Sequence, residues 1–309
     1  MFQQTVLPRW KGFNLLGAFT MDSPGKFEEE DFQLIADLGF DFVRLPLNYT
    51  FWIDYNDPFE INDGKLSIVD DCVNWGEKYG IHVNVALHRA PGYSVAKDRV
   101  EPFDLWRDPE ALEAFKLHWT TLAKRYKGIP SAKVSFNMVN EPADVSPEAH
   151  RKVMAETTRA IHAIDPDRLT LCDGLDYGNL PQTNIADMAQ ENVGQSCRAY
   201  IPAGITHYRA LWVDRKRNFP TATWPGGYAA DGPWDRERLF RHYGAWAALA
   251  QNYNMGVHCG EGGCFNQTPH DVTLRWMEDV LDALKTYNIG LALWNFRGGF
   301  GILDSGRKD

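Results

Sequence analysis

The chain has 309 residues, 44% of them apolar, and a formal net charge of −9. That length suits one large α/β barrel with a sizeable core, so residues 1–309 read as a single domain. An acidic chain without a run of Lys or Arg argues against a nucleic-acid partner, and no apolar stretch is long enough to span a bilayer.

In chain order, short β-rich runs alternate with amphipathic stretches. The candidate strands are Gly12–Phe19, Phe42–Asn48, His82–Arg89, Val134–Glu141, Leu169–Leu175, Ser196–Ile201, Gly256–Gly262 and Gly290–Phe296. Most are near-continuous apolar runs, the pattern of a parallel sheet whose outer face is covered by helices. Helical patterns fall between them at Glu28–Leu38, Ser67–Tyr79, Pro109–Tyr126, Pro147–Ile164, Ile185–Ala189, Arg236–Asn252 and Asp271–Tyr287. Ser146-Pro147 and Asp108-Pro109 read as N-caps followed by proline at the first helical position. Eight strands alternating with helices predict an α/β (β/α)8 TIM barrel. No Gly-x-Gly-x-x-Gly follows the first strand, which argues against a dinucleotide fold. The stretch after strand eight is short, polar and glycine-rich, so the last outer helix is expected to be absent. The cause would be a truncated chain or a gap covered in another way.

The cysteines are Cys72, Cys172, Cys197, Cys259 and Cys264. An odd number without CxxC spacing supports neither a disulfide framework nor a zinc site, and they read as buried thiols. Met1-Phe2-Gln3-Gln4 lacks a charged n-region and an apolar h-region. A cytoplasmic protein, or a secreted one whose signal has been removed, is expected.

Barrel active sites lie at the C-terminal ends of the strands. Strand four ends in Val139-Asn140-Glu141-Pro142, and strand seven reads Val257-His258-Cys259-Gly260-Glu261-Gly262-Gly263. Each places a glutamate where an apolar strand opens at the mouth. A lone glutamate there is often only a solvated loop residue or a helix first-turn anion. Two of them can face each other across a cleft, as paired carboxylates do in glycoside hydrolysis.

These residues resemble clan A glycoside hydrolases, and the rest of the chain is similar to glycoside hydrolase family 5, the cellulase group. Phe42-Val43-Arg44-Leu45-Pro46 matches the family's strand-two arginine motif, His88 its strand-three histidine and Trp294 its strand-eight tryptophan. The resemblance implies a retaining β-glycosidase in which Glu141 is acid/base and Glu261 is nucleophile. It implies that Asn140 bonds the sugar 2-hydroxyl, Arg44 holds Glu261 ionised, His88 contacts the sugar and Trp294 forms its floor. No cofactor or metal is implied. The expected substrate is a β-glucan or its oligosaccharides, with endo-β-1,4-glucanase first, an exo-acting β-glucosidase or β-1,3-glucanase second and β-mannanase third. A metal-dependent hydrolase lacks its His-x-His in Phe13-Asn14-Leu15-Leu16-Gly17. A barrel that binds sugar without cleaving it is the non-enzyme alternative. The oligomeric state is left open.

Strand six departs from the family. Cys197-Arg198-Ala199-Tyr200 carries arginine where the family has histidine. Tyr200 still fits the tyrosine that bonds the nucleophile, whereas Arg198 cannot accept a proton. Arg198 is expected to support Glu261 or to bind an anionic or hydroxyl-rich group. His207, in Thr206-His207-Tyr208, could restore a histidine to the rim. With 11 Trp, 12 Tyr and 17 Phe the chain holds more aromatics than packing needs, and indole faces suit sugar rings. One or two of Trp212, Trp224 and Trp234, in a long loop that also holds Tyr228, are expected to stack on sugar. Trp52, Tyr55 and Tyr93 are similar candidates across the cleft.

Overall fold

A computed structural model describes residues 7–96, 100–213, 219–226 and 232–308. Tyr228 and Met1–Gln4 lie outside the described residues. Eight parallel strands run in sequence order: β1 (Lys11–Asn14), β2 (Phe42–Asn48), β3 (His82–Ala90), β4 (Val134–Asn137), β5 (Thr170–Asp173), β6 (Val193–Ala199), β7 (Val257–Gly262) and β8 (Gly290–Leu293). Each pairs with the next and β8 pairs back with β1, which closes the barrel. The strands are buried along almost their whole length, which is why they read as unbroken apolar runs and not as alternating ones. After β3 the chain turns back in a short antiparallel arm, Tyr93–Ser94, paired with Arg89 and Ala90, and this brings Tyr93 over the mouth.

The outer ring is α1 (Glu29–Asp37), α2 (Ser67–Tyr79), α3 (Pro109–Arg125), α4 (Pro147–His162), a 3-10 segment (Thr183–Glu191), α5 (Arg236–Tyr253) and α6 (His270–Thr286). Ser146 caps α4 as expected, accepting from Ala149 N–H. Asp108 precedes α3 but makes no side-chain cap bond; its carboxylate accepts from Asp104 N–H instead. The stretch read as a helix at Ile185–Ala189 is 3-10, because a segment this short between Pro181 and β6 cannot sustain α-helical propagation. β1, β4 and β8 end several residues before the apolar runs do, where their terminal side chains turn into the mouth, while β6 begins earlier, at Val193.

Among the described residues no helix follows β8. The coil after it buries Phe296 against Phe13, and Arg297 pairs with Asp31 of α1 at 2.8 Å. Arg307 donates to the Thr268 carbonyl just before α6 at 2.7 Å. The gap between the first turns of α6 and α1 is therefore laced by a hydrogen-bonded coil.

Opposite the mouth, Leu7, Trp10, Phe42, Leu169, Leu171 and Ala292 pack into one apolar cluster. Trp10 stacks on His82 at 3.9 Å, and the His82 Nε2 lies 2.7 Å from Ser135 Oγ. Gly12 makes the tight closure there possible. It lies in register with Phe42, and a Cβ on it would sit 1.6 Å from the Phe42 carbonyl oxygen. Gly12→Ala is predicted to lower the stability of the protein by at least about 2 kcal/mol, measured as the denaturant midpoint at constant slope; an unchanged midpoint would show that β1 yields without cost.

Candidate active site

The mouth is built on the last residues of the strands, where the backbone leaves the ladder and side chains converge. Arg44 of β2 is fully buried, and its guanidinium is divided among four side chains. Its Nε donates to Asn137 Oδ1 at 2.9 Å, Nη1 to Asn14 Oδ1 at 3.0 Å and Glu261 Oε1 at 2.5 Å, and Nη2 to Asn140 Oδ1 at 2.9 Å. Glu261 of β7 is only 2% exposed, and its other oxygen accepts from Tyr200 O–H at 3.1 Å. The charge-assisted bond on one oxygen and the hydroxyl on the other fix the orientation of this buried carboxylate.

Glu141 has a different environment. It follows β4 in the left-handed region, φ 48°, a conformation a non-glycine residue keeps only when its neighbours enforce it. Three contacts do so. Its N–H donates to Asp173 Oδ2 at 2.8 Å, its carbonyl accepts from Tyr93 O–H at 2.8 Å, and its Oε1 accepts from Arg198 Nε at 3.0 Å. Burial, then the charge of Glu261, raise the Glu141 acid to about 8; Asp173 adds to the rise and Arg198 opposes it. The two carboxyls thus divide into one that is paired and one that is held neutral near pH 7, the division that acid and nucleophile roles require.

Arg198 ties them together. Fully buried, it donates to Glu141 and, through Nη1, to Ser196 Oγ at 2.9 Å and the Cys197 carbonyl at 3.0 Å. Through Nη2 it reaches Asn140 Oδ1 at 2.9 Å, the Asp173 carboxylate, and Glu261 Oε1 at 3.5 Å. Its place depends on a register shift between β6 and β7 that sets Arg198 opposite Glu261. Gly260 accommodates it, since a Cβ there would lie 2.6 Å from Ser196 Oγ and 3.0 Å from Arg198 Nη1.

The arrangement leaves two buried polar atoms without a protein partner, Asn140 Nδ2 and His88 Nδ1. Buried polar groups in native proteins are nearly always satisfied, so open ones at a mouth mark where a ligand hydroxyl can bond. Burial and then Arg44 and Arg198 push the His88 imidazole well below its ordinary range, so it is neutral. It faces Trp294 at 5.7 Å with their planes 28° apart, and Phe19 meets both rings edge-on. The half-buried Trp294 indole gives the pocket one apolar wall.

His207 lies edge-on to Tyr200 at 5.1 Å, its Nδ1 2.9 Å from Thr206 Oγ1. It belongs to an aromatic chain with Phe300, Phe265 and Trp212 that runs outward from the pocket. Trp212, 60% exposed, is the tryptophan of its loop available to a sugar face. Trp224 and Trp234 are buried; the Trp224 indole donates to Asp279 of α6 and Trp234 underlies Arg238 of α5, so both fasten the loop. Trp52 is likewise interior, its indole N–H donating to His118 Nδ1 at 2.9 Å, which removes it as a sugar contact. Tyr55 is 93% exposed, and Tyr93 reaches the site as a clamp on the Glu141 backbone.

Sequence reasoning missed Asp173, Asn137 and Asn14. Asn137 Nδ2 donates to Asp173 Oδ1 at 2.8 Å, and Asn14 Nδ2 to the Gly260 carbonyl at 2.9 Å. The signal was present: each is a polar residue closing an apolar strand. Among the described residues no three His, Cys, Asp or Glu side chains group as metal ligands, none of the cysteines is paired, and no helix is long and apolar enough to cross a membrane.

The chain is similar to several known proteins. Endoglucanase C of Acetivibrio thermocellus is 27% identical over 301 residues, 91% of this chain and 87% of that protein. Cellodextrinase A of Ruminococcus flavefaciens is 27% identical over 276 residues, 85% of this chain and 76% of that protein. Among solved structures, one described as a glycoside hydrolase is 36% identical with a TM-score of 0.91, covering 97% of this chain and 92% of its own. Endoglucanase Cel5A of Thermotoga maritima shares the fold at 23% identity, with a TM-score of 0.79 over 99% and 95% of the two chains. The family model for cellulase (glycosyl hydrolase family 5) matches residues 3–299, and the chain belongs to that family.

Proposed function

We propose that the protein hydrolyses β-1,4-linked glucan as an endoglucanase, with retention of configuration, Glu261 serving as nucleophile and Glu141 as acid/base. The observation that carries this reading is the Arg198 guanidinium lying against both Glu141 Oε1 and Glu261 Oε1. One guanidinium within reach of both carboxyls supports their lying close together, as expected of retaining pairs, which stand roughly 5 Å apart. The names of the endoglucanase and cellodextrinase relatives support glucan and cellodextrins as the substrate class.

In the first step a Glu261 oxygen bonds to the anomeric carbon as the glycosidic C–O bond breaks, and Glu141 gives its proton to the departing oxygen. In the second, Glu141, now a carboxylate, takes a proton from water. The water oxygen bonds to the anomeric carbon, and the Glu261–sugar bond breaks. The open Asn140 Nδ2 is placed to donate to the 2-hydroxyl, a contact that strengthens as the transition state forms. Arg44 and Tyr200 hold the nucleophile in position, and the neutral His88 and Trp294 line the sugar beside it.

Hydrolysis of cello-oligosaccharides is expected to vanish in Glu261→Ala and to fall roughly 10²–10⁴-fold in Glu141→Ala. Azide restores turnover in the latter only for substrates with activated leaving groups. Binding with undiminished turnover in either variant would sink the mechanism, and release of monosaccharide alone from one chain end would overturn the endo assignment. The kcat/KM profile of the wild type is expected to fall on its alkaline side near pH 8, where Glu141 loses its proton. The same raised acid weakens the fold as pH rises, because its stability contribution is complete below the ordinary carboxyl range and is lost on the way up to about 8. Glu141→Gln is therefore expected to match the wild type in Tm near pH 4 and to exceed it by a few degrees at pH 8; a Tm difference independent of pH would contradict the raised acid.

A further inference from the structure

Two arginines and two carboxylates, Arg44, Arg198, Asp173 and Glu261, are buried in the floor of the site, and a third carboxyl, Glu141, 14% exposed, lies against them. Arg44, Asn137, Asp173, Arg198 and Asn140 form a closed circuit of hydrogen bonds. Arg44 donates to Asn137, Asn137 to Asp173, Arg198 to Asp173 and Asn140, and Arg44 again to Asn140. Arg44 is matched by Glu261, with the contact at 2.5 Å. Arg198 is matched by Asp173, both side chains fully buried. With those pairs formed, the two cations and two anions cancel, and the third carboxyl, Glu141, adds no charge only while it keeps its proton. Take away the Asp173 charge, and the enclosed floor holds two cations against one anion, with the Arg198 Nε 3.0 Å from Glu141 Oε1. Enclosed charge imbalance of that kind is relieved by ionising the nearest acid.

We propose that Asp173 and Arg198 act as one positioning pair, in which Asp173 balances Arg198 so that Arg198 can orient Glu141 by a hydrogen bond and still leave its proton in place. Asp173 also fixes the left-handed Glu141 backbone through that residue's N–H. Together these contacts explain how an arginine is accommodated between the two carboxyls. The other titratable groups facing Glu141 are Tyr200, just after β6, and Glu261 from β7; Arg44 from β2 lies against Glu261, and His88 from β3 is acted on by Arg44, Arg198 and Asp173. Tyr93 bonds its carbonyl, with Asp144 and Tyr177 beyond it. His150 of α4 lies behind Asp173, and burial there holds its imidazole neutral, pushed down to about 4. His207 faces Glu261 from the loop after β6 and is held neutral in the same way. Of these only Glu261 is an anion near Arg198, at 3.5 Å, and it is already committed to Arg44 at 2.5 Å.

The inference rests on Glu141 being the acid/base, and the experiment separates the two. kcat/KM is measured against pH for the wild type, Asp173→Asn and the double variant Asp173→Asn/Arg198→Gln, on cellotetraose and on 2,4-dinitrophenyl β-cellobioside, whose phenolate leaves without a proton. Asp173→Asn should move the alkaline limb down by roughly one pH unit or more. At pH 7 it should lose more activity on cellotetraose than on the dinitrophenyl glycoside. The double variant, which removes the uncompensated cation, should bring the limb back toward its wild-type position. A limb that does not move in Asp173→Asn, equal losses on both substrates, or a double variant displaced further in the same direction would each overturn the pairing. Should Asp173→Asn fail to fold while the double variant folds, the unbalanced cation is the cause and the proposal stands; if neither folds, the two charges do not compensate and it fails. Alkaline dependence that persists in the residual activity of Glu141→Gln sinks the acid/base reading itself. Dependence lost there but unmoved in Asp173→Asn sinks only this inference.

Discussion

Everything at the mouth of this barrel is organised around charge enclosed where water cannot screen it. Arg44 and Arg198 have no exposed surface, and an ion in such a place is tolerated only with its counter-ion and with its remaining hydrogen-bonding capacity filled. Five strands meet that demand with residues that answer one of the two guanidinium groups: Asn14 from β1, Asn137 from β4 and Asn140 just beyond it, Asp173 from β5, Ser196 from β6 and Glu261 from β7. A side chain held by several such bonds has one orientation. The carboxyls are therefore set before any sugar arrives, and little reorganisation is left for the moment of reaction.

The same enclosure produces the asymmetry between the two glutamates. Glu261 faces Arg44 and a tyrosine hydroxyl, while Glu141 meets an arginine whose charge is already committed to Asp173. Two side chains of one type acquire opposite tendencies from their neighbours alone. Fold and site are not separable here. The register shift between β6 and β7, which needs the bare backbone of Gly260, is what carries Arg198 to the point between the two carboxyls.

Arg44, inside β2, was legible only through the motif around it. Asn140, Glu141 and Glu261 were legible in the sequence because a charged or amide side chain closing an apolar strand has few structural uses, and a parallel barrel sends all such ends to one face. By the same rule Asp173 and Asn14 should have been singled out. They were not, because each stands without a flanking motif and shows its purpose only once β4, β5 and β6 are side by side. Arg198 was recognised as a departure, yet its role could not follow from its own strand, since its counter-ion comes from another. Which of the loop tryptophans is exposed was illegible for a different reason. Trp52, Trp224 and Trp234 are interior and Trp212 is exposed, and a tryptophan in irregular chain reads the same in both cases because its fate depends on the helix beneath it. The helical ring was legible from its period, apart from the 3-10 stretch, where propagation had too little chain.

The cluster of Trp10 with Phe42, Leu169 and Leu171 at the far end has a consequence for traffic. With that end stoppered by packed rings, the barrel is a vessel with a single opening. Whatever leaves after the first bond breaks must vacate the doorway before the molecule needed for the second can come in. The order of departure and entry is then imposed by architecture, and a product that lingers at the rim delays the next turnover without touching either glutamate.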